Sequence, residues 1–312
     1  MFRRLALIAV LMVVVAACQD GGPDQLVAAG ATGAQDEKLA RLRNTDVCAL
    51  LPRAELAKLG PVTAVGTNEL YECEAQLGED QKNRTRVNWS VRALDDVAMD
   101  VGTTVTIEGL TVSMISDKDT RPPEEIASAR FRICNAFAQL PAGGSMLLTL
   151  TIPPGAEPCA GAQSLVTVAL AEWKRTPRLG DSPDTVQTPV AGADPCAVLT
   201  KLPNAVRGDT QWVDRCWFEL DGHSIYLEYK HATNREFENY LPMKVGGRQA
   251  YRTSKDDNAS YMIRVGPTFD PAADEYDFAN VPAVTINAVS SHNQATLEKV
   301  TAAVMTIFPN AA

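Results

Sequence analysis

Histidine is scarce in this chain, and so are the motifs that would use it. Three histidines occur in 312 residues, and no His-Glu-x-x-His places two of them on one helix face around zinc. His223 and His231 flank Glu228, but residues eight apart on a strand lie about 26 Å from each other. They cannot share an ion in an extended segment, and both read as exposed strand and turn residues. His292 precedes the last helical pattern and reads as a residue of that helix's capping region. Cys-x-x-Cys is absent, which removes the usual zinc and redox spacings. There is no Gly-x-Ser-x-Gly elbow and no Gly-Lys-Ser/Thr phosphate loop; Gly143-Gly144-Ser145 follows Pro141 and reads as a turn. The acidic stretch with Asp270, Asp274, Glu275 and Asp277 lacks the glycine and terminal glutamate of an EF-hand, so it reads as a solvated loop. Cations are short too, at 29 Lys and Arg against 38 Asp and Glu. That balance disfavours nucleic acid, whose binding rests on neutralising phosphates. No metal, no cofactor and no catalytic residue is expected.

What the chain has is an export address. Arg3 and Arg4 precede the apolar run Leu5 to Val15, which reaches roughly 17 Å as a helix against a hydrocarbon core of about 30 Å. Such a run fits the h-region of a signal peptide better than a transmembrane anchor. It ends Val15-Ala16-Ala17-Cys18, which looks like a lipobox, so residues 1–17 are expected to be removed and Cys18 lipidated. Loss of Arg3 and Arg4 moves the formal charge from -9 to -11. The expected location is the extracytoplasmic face of the cell membrane, held by covalent lipid. Without Cys18, six of the seven cysteines remain, an even number suited to an oxidising compartment.

Composition divides the rest. Residues 18–43 are rich in Gly, Ala, Asp and Gln and read as a flexible tether, with little to bury even if Asp36 to Arg43 is helical. Residues 174–193 carry Pro177, Pro183 and Pro189 and read as a linker. The blocks between them, 44–173 and 194–312, look like divergent copies of one unit. Asp46-Val47-Cys48-Ala49-Leu50-Leu51 is echoed by Asp194-Pro195-Cys196-Ala197-Val198-Leu199. A cysteine beside aromatics follows in each (Tyr71-Glu72-Cys73; Cys216-Trp217-Phe218). Alternating strands come next, around Trp89 and around Leu227. Each block then has a strand with internal glycine, Val105 to Ile115 and Met243 to Thr253. Further alternation pairs Phe131 to Cys134 with Tyr261 to Arg264. Each block closes on a helical stripe, Leu165, Val166, Ala169, Leu170 and Trp173 in one, Leu297, Val300, Val304, Ile307 and Phe308 in the other. Pro52 to Gly60 has short-helix punctuation. The expected fold is α+β: two tandem copies of a mainly antiparallel sheet, each flanked by a short N-terminal helix and a C-terminal amphipathic helix.

The opening Asp-x-Cys-Ala-Leu-Leu-Pro-x-x-x-Leu-x-x-Leu-Gly from Asp46, its echo at Asp194 and the lipobox together resemble actinobacterial cell-envelope lipoproteins described only as a domain of unknown function. The cysteine pairs and terminal helix are more distantly similar to the extracellular sensor domain of mycobacterial-type Ser/Thr kinases. These resemblances imply a non-catalytic binding, sensing or envelope-accessory module, with an envelope protein, peptide or lipid as ligand, and bring no catalytic residues. An envelope hydrolase with an unrecognised site and a structural spacer are the alternatives.

The repeat limits the cysteine pairing. The second block isolates Cys196 with Cys216, its equivalent is Cys48 with Cys73, and Cys134 with Cys159 remains. The position of Cys134 is expected to be taken by Arg264 in the second block, on the face opposite Tyr261 and Ile263, and that of Cys159 by about Ser291. The aromatics Trp212, Trp217, Phe218, Tyr226 and Tyr229 are expected in the sheet core and in cross-strand pairs, with a ligand groove as the alternative.

Overall fold

The computed structural model describes residues 23–79, 84–93, 101–141, 143–253, 260–270, 279–288 and 294–310, with side chains described from residue 33. Contacts divide the chain into two compact units, Met1–Asp36 and Glu37–Ala312. Both sheets belong to the second. Cys18, His292, Asp274, Glu275 and Asp277 lie outside the described residues.

The first sheet comprises β1 (Val62–Thr67), β2 (Glu72–Leu77), β3 (Thr85–Arg92), β4 (Thr103–Ile107), β5 (Leu110–Ser116), β6 (Arg132–Gln139) and β7 (Ser145–Ile152). Its order is β1-β2-β3-β7-β6-β5-β4. The second comprises β8 (Val206–Gln211), β9 (Arg215–Leu220), β10 (His223–Thr233), β11 (Leu241–Val245), β12 (Arg248–Arg252), β13 (Tyr261–Arg264) and β14 (Asn280–Ala288). Read from its other edge, its order is β8-β9-β10-β14-β13-β12-β11, the same arrangement strand for strand. All neighbours in both sheets are antiparallel. The α+β class with paired antiparallel sheets is therefore as read from the sequence.

Each sheet buries one face under its closing helix. Helix α5 (Pro158–Lys174) lies on β5, β6 and β7, and α7 (Gln294–Ile307) on β11, β13 and β14. Leu165, Val166, Ala169, Leu170 and Trp173 are all buried, as are Leu297, Val300, Val304 and Phe308, while Ile307 is half-buried. A stripe of three-and-four spacing thus meets alternate residues of the strands below it, such as Cys134, Ala136 and Ala138 in β6. The three disulfides are Cys48–Cys73, Cys134–Cys159 and Cys196–Cys216. The first and third join the short helical opening of a repeat to its second strand, and the other joins β6 to α5.

Several local readings change. The two glycine-containing strands are hairpins: β4 and β5 turn through Glu108-Gly109, and β11 and β12 through Gly246-Gly247. All four turn residues have positive φ, 55° and 81° in the first and 56° and 82° in the second. This matches the two-residue type I′ turn that follows strand twist. The short opening helix, α2 (Arg53–Leu56), is briefer than its punctuation suggested, and two further short helices, α3 (Asp117–Thr120) and α4 (Pro123–Ser128), lie between β5 and β6.

The end of the N-terminal helix α1 (Pro23–Arg43) is part of the fold. Leu39 and Leu42 are each only 1% exposed, against the expectation that little there would bury. Leu42 reaches the β6–β7 turn at Gly144, where an added Cβ would come within 2.8 Å of the Arg92 carbonyl and 3.1 Å of Leu42. Only glycine fits at that point.

Residues 174–193 form an ordered strap. The backbone pairs Thr45 with Arg178, and Thr67 N–H donates to the Asp184 carbonyl at 3.3 Å. The strap is organised by Asp46, which is fully buried. Its carboxylate accepts from the backbone N–H groups of Ala49 (3.1 Å), Gly180 (2.9 Å) and Ser182 (2.9 Å) and from the Thr185 hydroxyl. A buried carboxylate needs such donors to offset its lost hydration.

Register also corrects one equivalence. Cys73 pairs with Trp89, Trp89 with Leu148 and Leu148 with Ala136. In the second sheet Cys216 pairs with Leu227, Leu227 with Ile286 and Ile286 with Tyr261. Tyr261 therefore stands where Ala136 does, and Arg264 where Gln139 does. The position of Cys134 falls at residue 259, outside the described residues. Nor does Arg264 face open water. Its guanidinium lies 4.3 Å over the Phe237 ring and 5.8 Å from Tyr251, under α6 (Asn234–Glu238), a cation–π arrangement on a face that α6 covers.

A cleft where the repeats meet: candidate functional site

The repeats join through equivalent hairpin tips. β1 and β2 turn at residues 68–71, β8 and β9 at 212–214. In both, the strand beyond closes on the tip: Val91 N–H donates to the Tyr71 carbonyl at 3.2 Å, and Tyr229 N–H to the Asp214 carbonyl at 2.8 Å. The tips reach across. Val213 of the second repeat is buried in the core of the first, and Leu70 of the first packs partly against both cores. Asn280 Nδ2 donates to the Asn68 carbonyl at 3.2 Å, and Arg43 pairs with Asp194 at 3.4 Å. His231, expected to be exposed, is instead buried at the same junction, because the strap and Phe269 cover that face of β10. Its Nε2 is 3.2 Å from the Thr188 hydroxyl of the strap, and Phe269 meets its ring edge-on.

Beside the crossed tips is a cleft of about 330 Å³. One wall is Glu69, Glu72, Ser90 and Arg92; the other is Trp212, Asp214 and Arg215; Leu70, Tyr71, Val91, Ala93 and Val213 complete the lining. Alternation explains the walls. Glu72, Ser90 and Arg92 lie on the face of the first sheet opposite α5, and Arg215 on the face of the second opposite α7, so two polar faces converge.

Charges of both signs meet there. Arg215 is bonded to Glu228 through Nε at 2.9 Å and an Nη at 2.8 Å, lies 3.5 Å from Asp214, and stacks between Trp212 (5.9 Å) and Tyr226 (5.6 Å). Tyr226 donates to Glu228 at 2.9 Å and stacks on Trp217 at 5.4 Å. This holds the guanidinium in a fixed plane. Across the cleft, Glu72 accepts from Asn88 Nδ2 at 2.6 Å, and Arg92 donates to the Ser90 hydroxyl at 3.4 Å.

Two carboxyls of the cleft have raised pKa values. Desolvation raises the pKa of Asp214, with Glu228 adding to it and Arg215 opposing. Glu69 is exposed as a residue, yet its carboxyl is also raised, first by desolvation and then by the charge of Glu72. A positive group entering the cleft would relieve both. Arg92 and Arg215 offer the complementary sites for a negative group. Among the described residues, no group of three or more metal-ligating side chains occurs, and the cleft brings together no serine or cysteine with a histidine base.

Most of the residues singled out from sequence take other places. Phe218 and Tyr229 are core, and Trp217 and Tyr226 are the cross-strand pair. Trp212 lines the cleft. His223 begins β10, and Asp270 follows an isolated bridge at Phe269. Glu69, Arg92 and Asp214 were not picked out. They come from separate turns and strand ends, but a signal existed: Asp214 and the Glu69–Tyr71 turn occupy the same place in the two repeats, just before the second cysteine of each pair.

No family model, curated protein or solved structure matches the chain. The repeated opening motif has a structural use in both copies. Asp46 gathers the strap, and Asp194 accepts from the Cys196 N–H at 3.1 Å.

Proposed function

We propose that this chain is a lipid-anchored extracytoplasmic lipoprotein whose folded part is a non-catalytic binding module. In this reading its ligand carries both a positive and a negative group. The observation that carries the binding half is the cleft, where two desolvated carboxyls and two guanidinium groups face each other at the junction of the repeats. Its volume suits a small zwitterion or one or two residues of a peptide. The anchor half rests on the lipobox ending at Cys18, on three disulfides consistent with an oxidising compartment, and on the likeness to actinobacterial envelope lipoproteins. Among the described residues no helix is long and apolar enough to cross a membrane. Two acyl chains would hold the protein firmly where one would not.

The test is mass spectrometry of material bound to the protein extracted from its native envelope. The wild-type chain is compared with a variant carrying Arg92→Ala and Asp214→Asn. A zwitterionic small molecule or peptide should accompany the wild type and fall by about tenfold in the variant, equivalent to about 1.4 kcal/mol. Equal recovery from both, or none from either, defeats the cleft as the site. Separately, a fatty-acid analogue should label the wild type and not Cys18→Ala; label on that variant defeats the anchor.

A further inference from the structure

The four outer strands of the two sheets are treated unequally. β1 has a register break between Val62 and Ala64 and is covered at its end by the strap. β8 has a break between Arg207 and Gln211 and carries Arg207 and Asp209. β11 and β4 hold the same place in their repeats, and both pair in unbroken register with the next strand. β11 reads Leu-Pro-Met-Lys-Val, whereas β4 reads Thr-Thr-Val-Thr-Ile, with no charge and no proline.

Hairpin geometry says which positions matter. In a two-residue type I′ hairpin the residues flanking the turn exchange both backbone bonds, and every second residue does likewise. In β4 those are Ile107, Val105 and Thr103, which turn their backbone groups toward β5. Thr106 and Thr104 turn theirs outward. The same count in β11 makes Lys244 and Pro242 the outward pair. Proline has no N–H to offer, and lysine opposes a like neighbour, so both outward positions of β11 are blocked. Their equivalents in β4 are open threonines, exposed in the structure, with Val101 45% exposed at the strand's approach.

We propose that β4 is a pairing edge for a second copy of this chain, joined antiparallel about a two-fold axis through Val105. That register is the one in which both outward residues of each copy are used: Thr104 meets Thr106 of the other copy twice over, giving about four backbone hydrogen bonds. Val105 then faces its own counterpart, an apolar contact with no charge to oppose it. A second copy is favoured over a foreign strand because the edge is self-complementary in length, register and neutrality. Five residues bury too little to hold a dimer in dilute solution. Confinement to a membrane supplies the missing local concentration. The proposal uses the anchored reading only for that concentration, so the test supplies the tether artificially.

The chain from residue 19 onward, with an N-terminal histidine tag, is bound to vesicles containing a chelating lipid and treated with diamide. Val105→Cys places two thiols directly opposite, within disulfide reach, while Thr106→Cys leaves them two residues out of register and too far apart. Val105→Cys should give at least about tenfold more covalent dimer than Thr106→Cys. Adding Thr106→Lys to Val105→Cys, which copies the sister edge without disturbing the bonds to β5, should reduce the dimer to the Thr106→Cys level. Adding Thr104→Pro should do the same, with melting of each variant confirming the fold. Equal cross-linking at 105 and 106, none at 105, or cross-linking indifferent to Thr106→Lys overturns the proposal.

Discussion

Two buried side chains hold much of the architecture, and each yields a measurable consequence. Asp46 serves four donors from two distant segments, so Asp46→Ala leaves three backbone N–H groups and a hydroxyl without their acceptor. A loss of about 3 kcal/mol is expected in denaturant melting, and a change below about 0.5 kcal/mol would mean that water replaces the carboxylate. His231 acts through pH. Burial lowers its pKa to about 4 from 6.5, so the folded state holds it neutral. Its contribution is fully present above the unfolded value and is lost as pH falls from about 6.5 through the folded value, by roughly 3 kcal/mol. His231→Gln, neutral throughout, should flatten the stability profile between pH 6.5 and 4 relative to wild type. Glu69 and Asp214 have raised values and act in the opposite sense, but they are common to both proteins and cancel in the difference. Parallel profiles would show that the junction opens to water before the imidazole titrates.

Among elements, the closing helices and the strands with strict alternation were legible because burial on one face imposes a period on the side chains. The stripe ending at Trp173 is an example. The hairpin at Glu108-Gly109 reads as one strand in the sequence because most residues on both sides are apolar or β-branched, and only the backbone sign at the turn separates them. Alternation alone sets Arg264 against Cys134, because it carries no record of the hydrogen-bond partners that fix register. A shift of five residues keeps an alternating pattern plausible while exchanging faces. The cleft was illegible for another reason: its walls are brought together by the packing of two repeats, which no local pattern encodes. The disulfides, by contrast, followed from the repeat. The Cys134–Cys159 bridge has no counterpart in the second repeat. Replacing both cysteines with alanine should cost about 3 kcal/mol of first-repeat stability for its 25-residue span. Reduction of that double variant should then destabilise the two halves by similar amounts.

At the scale of the molecule, neither repeat ends where its own secondary structure ends. The first needs α1 from Leu39, and it needs the strap. A fragment of residues 37–193 should therefore melt cooperatively, whereas 44–173, which has every strand of the first sheet, should be less stable by several kcal/mol because Asp46 keeps only Ala49 as a donor. Equal melting of the two fragments would reduce the strap to a connector. Val213 in the first core and Leu70 against both make the halves mutually dependent in a way that their matching topology conceals.

The strap has a consequence in time as well as in space. On the proposed extracytoplasmic reading the chain emerges in sequence order from its N-terminus, so all seven strands of the first sheet would reach the far side before Gly180, Ser182 and Thr185 do. During that interval Asp46 sits beside a nearly complete sheet with most of its donors still to arrive. The first repeat can collapse and oxidise its cysteines early, but it locks only when the opening of the second is already following. If the proposed export holds, folding is thus expected to have a late maturation step, set by when residue 185 clears the membrane.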